Sequence, residues 1–388
     1  MCALGIAACE GCRSSSSPLA AAPASPGQPA KGQLAEELGP PTLRLYLVSD
    51  LAGALEPCGC TKDQLGGVDH FGAWVRQSRA GAPAALVAAA GPLFFMDPAL
   101  AAERAEQDRS KADTIARVLH GLDFAAFAPG ANDWADGTAG LTRLATTAGA
   151  AAIVPARPGL PSPPFVSVAV RDAGGLKVGF VGYGNPAAPA ASGDAGAPAP
   201  AASGATAGAA GAPGPGVEDA IKQGVAEAKR QGANVVVALA AVGRGEAKRI
   251  ADAAPELAAV VVGSTKSSGD GNTTAPQGER VGDVLIAQAA NHLQSVAVLD
   301  LYLREPVAAG QLVKFADATG LELAQQREDI ARRIDELHDK IAAWEREKSV
   351  SAADLDARRR DLDKLERQRD NLDRRSPPAK GSFFRYAV

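Results

Sequence analysis

The chain has 388 residues, a formal net charge of −4 and 46% hydrophobic residues, with an aromatic share of only 4%. At roughly 100–200 residues per domain, this length excludes a single small module, and 40 Lys and Arg against 44 Asp and Glu leave no cationic surplus to neutralise nucleic-acid phosphates. No stretch approaches the roughly 18 unbroken apolar residues of a membrane-spanning helix, and because 84 positions are alanine the core must come from short Val, Leu and Ile runs.

The first residues read as an export signal. Ile6-Ala7-Ala8-Cys9 has the small-residue spacing of a bacterial lipoprotein processing site, where Cys9 becomes the acylated first residue of the mature protein. The eight residues before it lack the basic start and the full apolar stretch of a signal peptide, which implies a shortened leader. Ser14 to Gly39 is rich in Ser, Ala, Pro and Gly, a composition that cannot bury enough surface to offset its ordering entropy and that suits a tether. Residues 1–39 are therefore expected to form signal and tether, placing the protein in the cell envelope, in the periplasm or at the outer membrane, with a lipid as its membrane contact.

Leu43-Arg44-Leu45-Tyr46-Leu47-Val48 runs into Ser49-Asp50, the pattern of a buried strand delivering an acid at its C-terminal end. Further strands are expected at 84–90, 124–129 and 151–154, alternating with helices over 99–119 and 137–149. Phe165 to Val170 and Leu176 to Val181, separated by Asp172-Ala173-Gly174-Gly175, read as a hairpin. Residues 187–216 contain almost nothing but Ala, Gly, Pro and Ser and read as a disordered insertion that splits the sheet into two halves. Beyond it come a helix over 217–232, a strand over 235–239, a helix over 245–254 and strands over 259–262, 284–289 and 295–303. Repeated strand–helix units over 40–303 predict an α/β sandwich.

Residues 321–375 differ in kind, with 14 Lys and Arg against 15 Asp and Glu. Ile330, Ile334, Leu337, Ile341 and Trp344 form a heptad seam. Ser351 with Asp354 makes a capping box for a second helix striped by Leu355, Leu362, Leu365 and Leu372. A helical hairpin or coiled-coil arm is predicted, burying its seam against itself or another chain, and it is the element expected to meet a protein partner. The triplet Arg358-Arg359-Arg360 sits among acids and is expected to form ion pairs. Residues 376–388 are read as a tail, in which Phe383 to Tyr386 resemble a strand that stops abruptly.

The block Ser49-Asp50-Leu51-Ala52-Gly53-Ala54-Leu55-Glu56-Pro57-Cys58-Gly59-Cys60, followed by Gln64-Leu65-Gly66-Gly67, resembles the calcineurin-like metallophosphatase superfamily, in particular its bacterial exported 5′-nucleotidase-like branch. The resemblance covers about residues 43–303 and implies a four-layer α/β/β/α sandwich. It also implies two metal ions held at the C-terminal ends of successive strands, activating a hydroxide against a phosphate ester. Matched block by block, Asp50-Leu51-Ala52 keeps the first carboxylate but has Ala52 for an imidazole. Gly91-Pro92 places a proline where an Asp bridges both ions. Gly130-Ala131-Asn132-Asp133 keeps the Asn, with Asp133 in place of a catalytic His. Ala240-Ala241-Val242-Gly243 and Gly263-Ser264-Thr265-Lys266 supply none of the expected imidazoles.

Asp50, Asn132 and Asp133 are thus the vestigial metal candidates, and so few donors cannot offset the dehydration of two cations. The expected cofactor is none, or one divalent ion at a degenerate site. A degenerate, binding or scaffolding protein is one reading. A working phosphoesterase using Asp50, Asn132, Asp133 and Asp136 around a single ion is its rival. Lys266 offers a cation for an anion in its Gly/Ser/Thr-rich loop. Cys58 and Cys60 form a C-x-C pair open to redox, disulfide or soft-metal chemistry. His70, His120, His292 and His338 are all read as surface residues.

Overall fold

The computed structural model describes residues 39–57, 65–156, 159–184, 216–264, 271–347, 350–373 and 381–388. All elements lie in the unit Pro40–Val388. In chain order the strands are β1 (Leu43–Ser49), β2 (Ala85–Gly91), β3 (Phe124–Pro129), β4 (Ala151–Ile153), β5 (Phe165–Val166), β6 (Val168–Ala173), β7 (Leu176–Tyr183), β8 (Val235–Ala241), β9 (Ala259–Gly263), β10 (Glu279–Val281), β11 (Val284–Ala287), β12 (Ala297–Tyr302), β13 (Ala316–Asp317) and β14 (Phe383–Ala387). The helices are α1 (Val68–Ser78), α2 (Ala105–His120), α3 (Gly137–Ala148), α4 (Val217–Arg230), α5 (Arg244–Ala253), α6 (Leu321–Glu347) and α7 (Ala352–Asp373).

Strand alternation builds the layers. In β1, Leu43, Leu45 and Leu47 point into a core shared with Val235, Val237 and Leu239 of β8, while Tyr46 and Val48 face α1 and α2. In β8, Val236, Ala238 and Ala240 turn the other way, onto α4 and α5. The result is an eight-stranded sheet, ordered β13-β14-β12-β1-β2-β3-β4-β5, stacked on a six-stranded sheet, ordered β10-β11-β9-β8-β7-β6, with helices on both outer faces. This is the predicted four-layer α/β/β/α sandwich. Alanine thins the middle layer at Ala88, Ala90, Ala126 and Ala128. At Gly263 the approach is closer still, since a Cβ there would lie 2.2 Å from the Ala90 carbonyl.

Two expectations about connectivity need correction. The sheets are not divided by the segment 185–215, because β6 and β7 precede it and already belong to the six-stranded sheet. The crossing occurs at Ser167: Phe165 and Val166 pair with β4, whereas Val168 onward pairs with β7. The hairpin therefore starts at Val168 and turns on Gly174 and Gly175 alone, both at positive φ, as a two-residue turn with two left-handed positions requires.

The C-terminal strand is also integral to the sheet. Phe383 to Ala387 lie between β13 and β12, with Phe384 opposite Leu301 and Tyr386 opposite Leu299. The alternation of aromatic side chains fits a strand buried by the sandwich rather than a tail. Helices α6 and α7 form an excursion between paired strands and pack on each other. Ile334, Ile341 and Leu372 are buried, so the seam is closed within the chain. Half of the capping box is present: the Asp354 N–H donates to Ser351 Oγ at 3.2 Å, while the Asp354 carboxylate accepts the Ser351 hydroxyl at 2.6 Å. Arg358 pairs with Asp361 and Arg359 with Glu345 of the facing helix. At the root, the Asp317 carboxylate accepts the N–H groups of Thr319, Gly320 and Glu322, which caps α6 with a negative charge.

At the opposite end from Asp50, buried Asn234 organises the loop before β13. Its Nδ2 donates to the carbonyls of Ala308 at 2.8 Å and Gln311 at 3.1 Å, and its backbone carbonyl accepts Val313 N–H at 2.8 Å.

Candidate functional site

Asp50, Gly91, Gly130, Val242 and Ser264 all fall at the C-terminal ends of their strands, the end of an α/β sheet at which ligands bind. Asp50 follows β1 with φ +47°, in the left-handed region. It is 7% exposed. One carboxylate oxygen accepts the Ser264 N–H at 2.6 Å and the other accepts the Ser264 hydroxyl at 2.7 Å. Burial pushes its carboxyl up, opposed by the two hydrogen bonds from Ser264. Its backbone is fixed as well: the carbonyl accepts His292 N–H at 2.9 Å, and the N–H donates to Ala90 O. Next to it, Ser49 Oγ donates to Val262 O and accepts Ala289 N–H, tying β1 to both β9 and the segment after β11.

Asp133 is fully buried. Its Oδ1 accepts the N–H groups of Leu93 and Phe94, each at 2.8 Å, and Oδ2 accepts Gly130 N–H at 2.9 Å. Desolvation outweighs these bonds and pushes the carboxyl up to about 7. Asp133 thus folds back onto the loop after β2 and anchors it.

Asn132 is also fully buried. Its Nδ2 donates to the carbonyls of Phe95 and Met96, while its Oδ1 has no hydrogen-bond partner among the described residues. Asp136 pairs with Arg109 at 2.7 Å and Arg143 at 3.4 Å. Lys266, Cys9, Cys58 and Cys60 lie outside the described residues.

The donor set does not fit two metal ions. Pro92 brings no side-chain ligand and packs against Gly130, where a Cβ would meet its ring at 2.5 Å. Ser264 occupies both oxygens of Asp50, and backbone N–H groups occupy both oxygens of Asp133. Of this trio, Asn132 Oδ1 is the oxygen with no hydrogen-bond partner among the described residues. Among the described residues, no group of three or more His, Cys, Asp or Glu side chains could hold a metal ion.

One residue was misread from the sequence. His292 is not a surface residue: it is 3% exposed, at φ +54°, and its Nδ1 lies 3.3 Å from Asn272 Oδ1. Asn291 beside it is held by Thr273 and Gly271. The available signal was position, since Asn291-His292 follows β11 as Ser264 follows β9. His70, His120 and His338 are exposed as expected.

No protein-family model and no curated protein matches the chain. Solved structures do. A putative 5′-nucleotidase from Staphylococcus aureus, in complex with alpha-ketoglutarate, is 13% identical with a TM-score of 0.50, covering 69% of this chain and 52% of that one. A 5′-nucleotidase precursor from Thermus thermophilus is 21% identical over 68% of this chain and 51% of that one, with a TM-score of 0.48. The NAD nucleotidase of Haemophilus influenzae is 15% identical over 69% and 48%, with a TM-score of 0.49. The chain therefore spans about half the length of the solved proteins it matches. At these identities the likeness is one of fold alone: the chain shares the two-sheet α/β fold of the Staphylococcus aureus protein.

Proposed function

We propose that this protein is an exported, lipid-anchored member of the metallophosphatase fold whose hydrolytic centre has degenerated and which acts by binding or scaffolding. The observation that carries this reading is the use of both carboxylates at the strand ends by the protein itself, Asp50 by Ser264 and Asp133 by the loop after β2. Each of these hydrogen bonds takes up part of a carboxylate's acceptor capacity of about four lone-pair sites and fixes its orientation toward the protein's own donors, in competition with a cation. The Ile6-Ala7-Ala8-Cys9 spacing supports the anchor. The hairpin α6–α7, closed on its own seam, would meet a protein partner through its charged outer faces.

The rival reading, an active phosphoesterase with a reduced site, is favoured by Asn132 Oδ1, unpartnered among the described residues. Hydrolysis of p-nitrophenyl phosphate, bis-p-nitrophenyl phosphate and AMP with added Mn, Zn, Mg or Ca separates the two. Turnover is expected to stay at background and to be unchanged by Asp50→Ala. Metal-dependent turnover abolished by Asp50→Ala would assign the protein to the rival class. For the anchor, palmitate labelling of the protein in a bacterial host is expected and should be lost in Cys9→Ala; labelling that survives the substitution contradicts Cys9 as the lipid site.

A further inference from the structure

The two sheets part at their base, the end remote from Asp50. There a cavity of about 200 Å³ is lined by Leu257, Leu299, Leu301, Leu312, Phe315 and Phe384. Leu257, Leu299, Leu301 and Phe384 are no more than 3% exposed, so these walls belong to the core.

The charged side chains that line the cavity are paired. Glu256 pairs with Lys229 at 2.8 Å, and Asp283 with Lys314 at 3.1 Å. None of the buried side-chain atoms lacking a partner among the described residues belongs to a lining residue. The wall carrying Leu312 and Val313 is held in place from within by Asn234, through Ala308, Gln311 and Val313. Such a site is pre-formed, offers apolar contact, and has no unpaired charge to recognise an ionised group.

We propose that this cavity binds a small uncharged apolar molecule of about six to eight carbon atoms, aromatic or aliphatic. The volume sets the size, since an apolar cavity of about 150 Å³ already accepts benzene. The paired rim sets the polarity. Asp283 and Lys314, the oppositely charged pair in the lining, already engage each other, and the apolar walls offer an ionised head no other partner.

The test uses the full chain with benzene and n-hexanol as probes and hexanoate and hexylammonium as charged counterparts. Both neutral probes are expected to raise the melting temperature saturably and to shift the methyl resonances of Leu257, Leu299 and Leu301. The charged pair should bind roughly tenfold more weakly or worse. Leu312→Trp, at a partly exposed position, should fill the cavity and abolish both effects, and Asn234→Ala should weaken them by loosening the wall. The methyl map of the unmodified protein decides the matter should either variant fold poorly. Absence of any saturable shift up to the solubility limit, equal binding of the charged probes, or shifts confined to methyls elsewhere would overturn the proposal.

Discussion

Replacing Asp133 by alanine is expected to destabilise the protein by at least about 3 kcal/mol at pH 7, because each buried donor left without an acceptor costs roughly 1–3 kcal/mol and Asp133 serves three of them, at Leu93, Phe94 and Gly130. Against a typical total of about 5–15 kcal/mol, that loss leaves a marginal fold. Urea unfolding measures it. A change below about 1 kcal/mol, the range of an ordinary surface substitution, would show that the loop after β2 does not depend on this carboxylate.

The same group gives a pH signature. Burial raises the Asp133 carboxyl from 3.8 to about 7, so between those values the folded state binds its proton more tightly than the unfolded chain does. The stability linked to that proton is complete below pH 4, falls as the pH climbs toward 7, and is level above it. Asp133→Asn removes the titration and retains a carbonyl for Leu93 and Phe94. The advantage of the parent protein over Asp133→Asn should therefore shrink between pH 4 and pH 8, by up to roughly 4 kcal/mol. An advantage that stays flat or grows over this range would contradict the assignment.

Gly91→Ala is expected to cost roughly 2–4 kcal/mol, for two reasons that act together. Its φ is +90°, and an added Cβ would lie 2.0 Å from Asp50 Oδ1 and 3.0 Å from Ser264 N. The methyl group must therefore break the clasp between Asp50 and Ser264. Shortening Asp50 to alanine removes the atom that is struck, so the double variant Asp50→Ala, Gly91→Ala should be more stable than the sum of the single effects predicts, by about 1 kcal/mol or more. Strict additivity would mean that Gly91 and Asp50 do not share one packed site.

Much of the fold was legible because strand and helix periodicities differ and the motifs punctuate them. The parallel strands β1, β2, β3, β8 and β9 appear as short Val, Leu and Ala runs ending in Gly, Pro or Asp, and their C-terminal ends marked the site. The assignment of strands to sheets was less legible. Nothing local at Ser167 distinguishes a continuing strand from one that crosses to the other sheet, since Val166 and Val168 are the same residue in the same apolar context; only pairing decides it. The place of strand β14 in the sheet was hidden for a similar reason, because its partners lie far earlier in the chain, at Val298 to Tyr302 and at Ala316 and Asp317. In the site, the absence of the imidazoles that the resemblance implies was readable from residue identity. The replacement contacts were not, because Ser264 meets Asp50 across 214 residues of chain, and a serine in a Gly/Ser/Thr-rich loop carries no mark of that role. His292 was misjudged because a histidine in a turn looks solvated until the Asp50 carbonyl is seen to accept its N–H.

On the proposed reading, the strand ends serve the protein's own structure and hold no pair of metal ions. Elemental analysis of the purified chain tests it most directly, after incubation with Mn and Zn and exhaustive dialysis, with Asp50→Ala carried in parallel. Well under one tightly held ion per chain is expected, with no difference between the two proteins. Two ions per chain, lost when Asp50 is replaced, would contradict it.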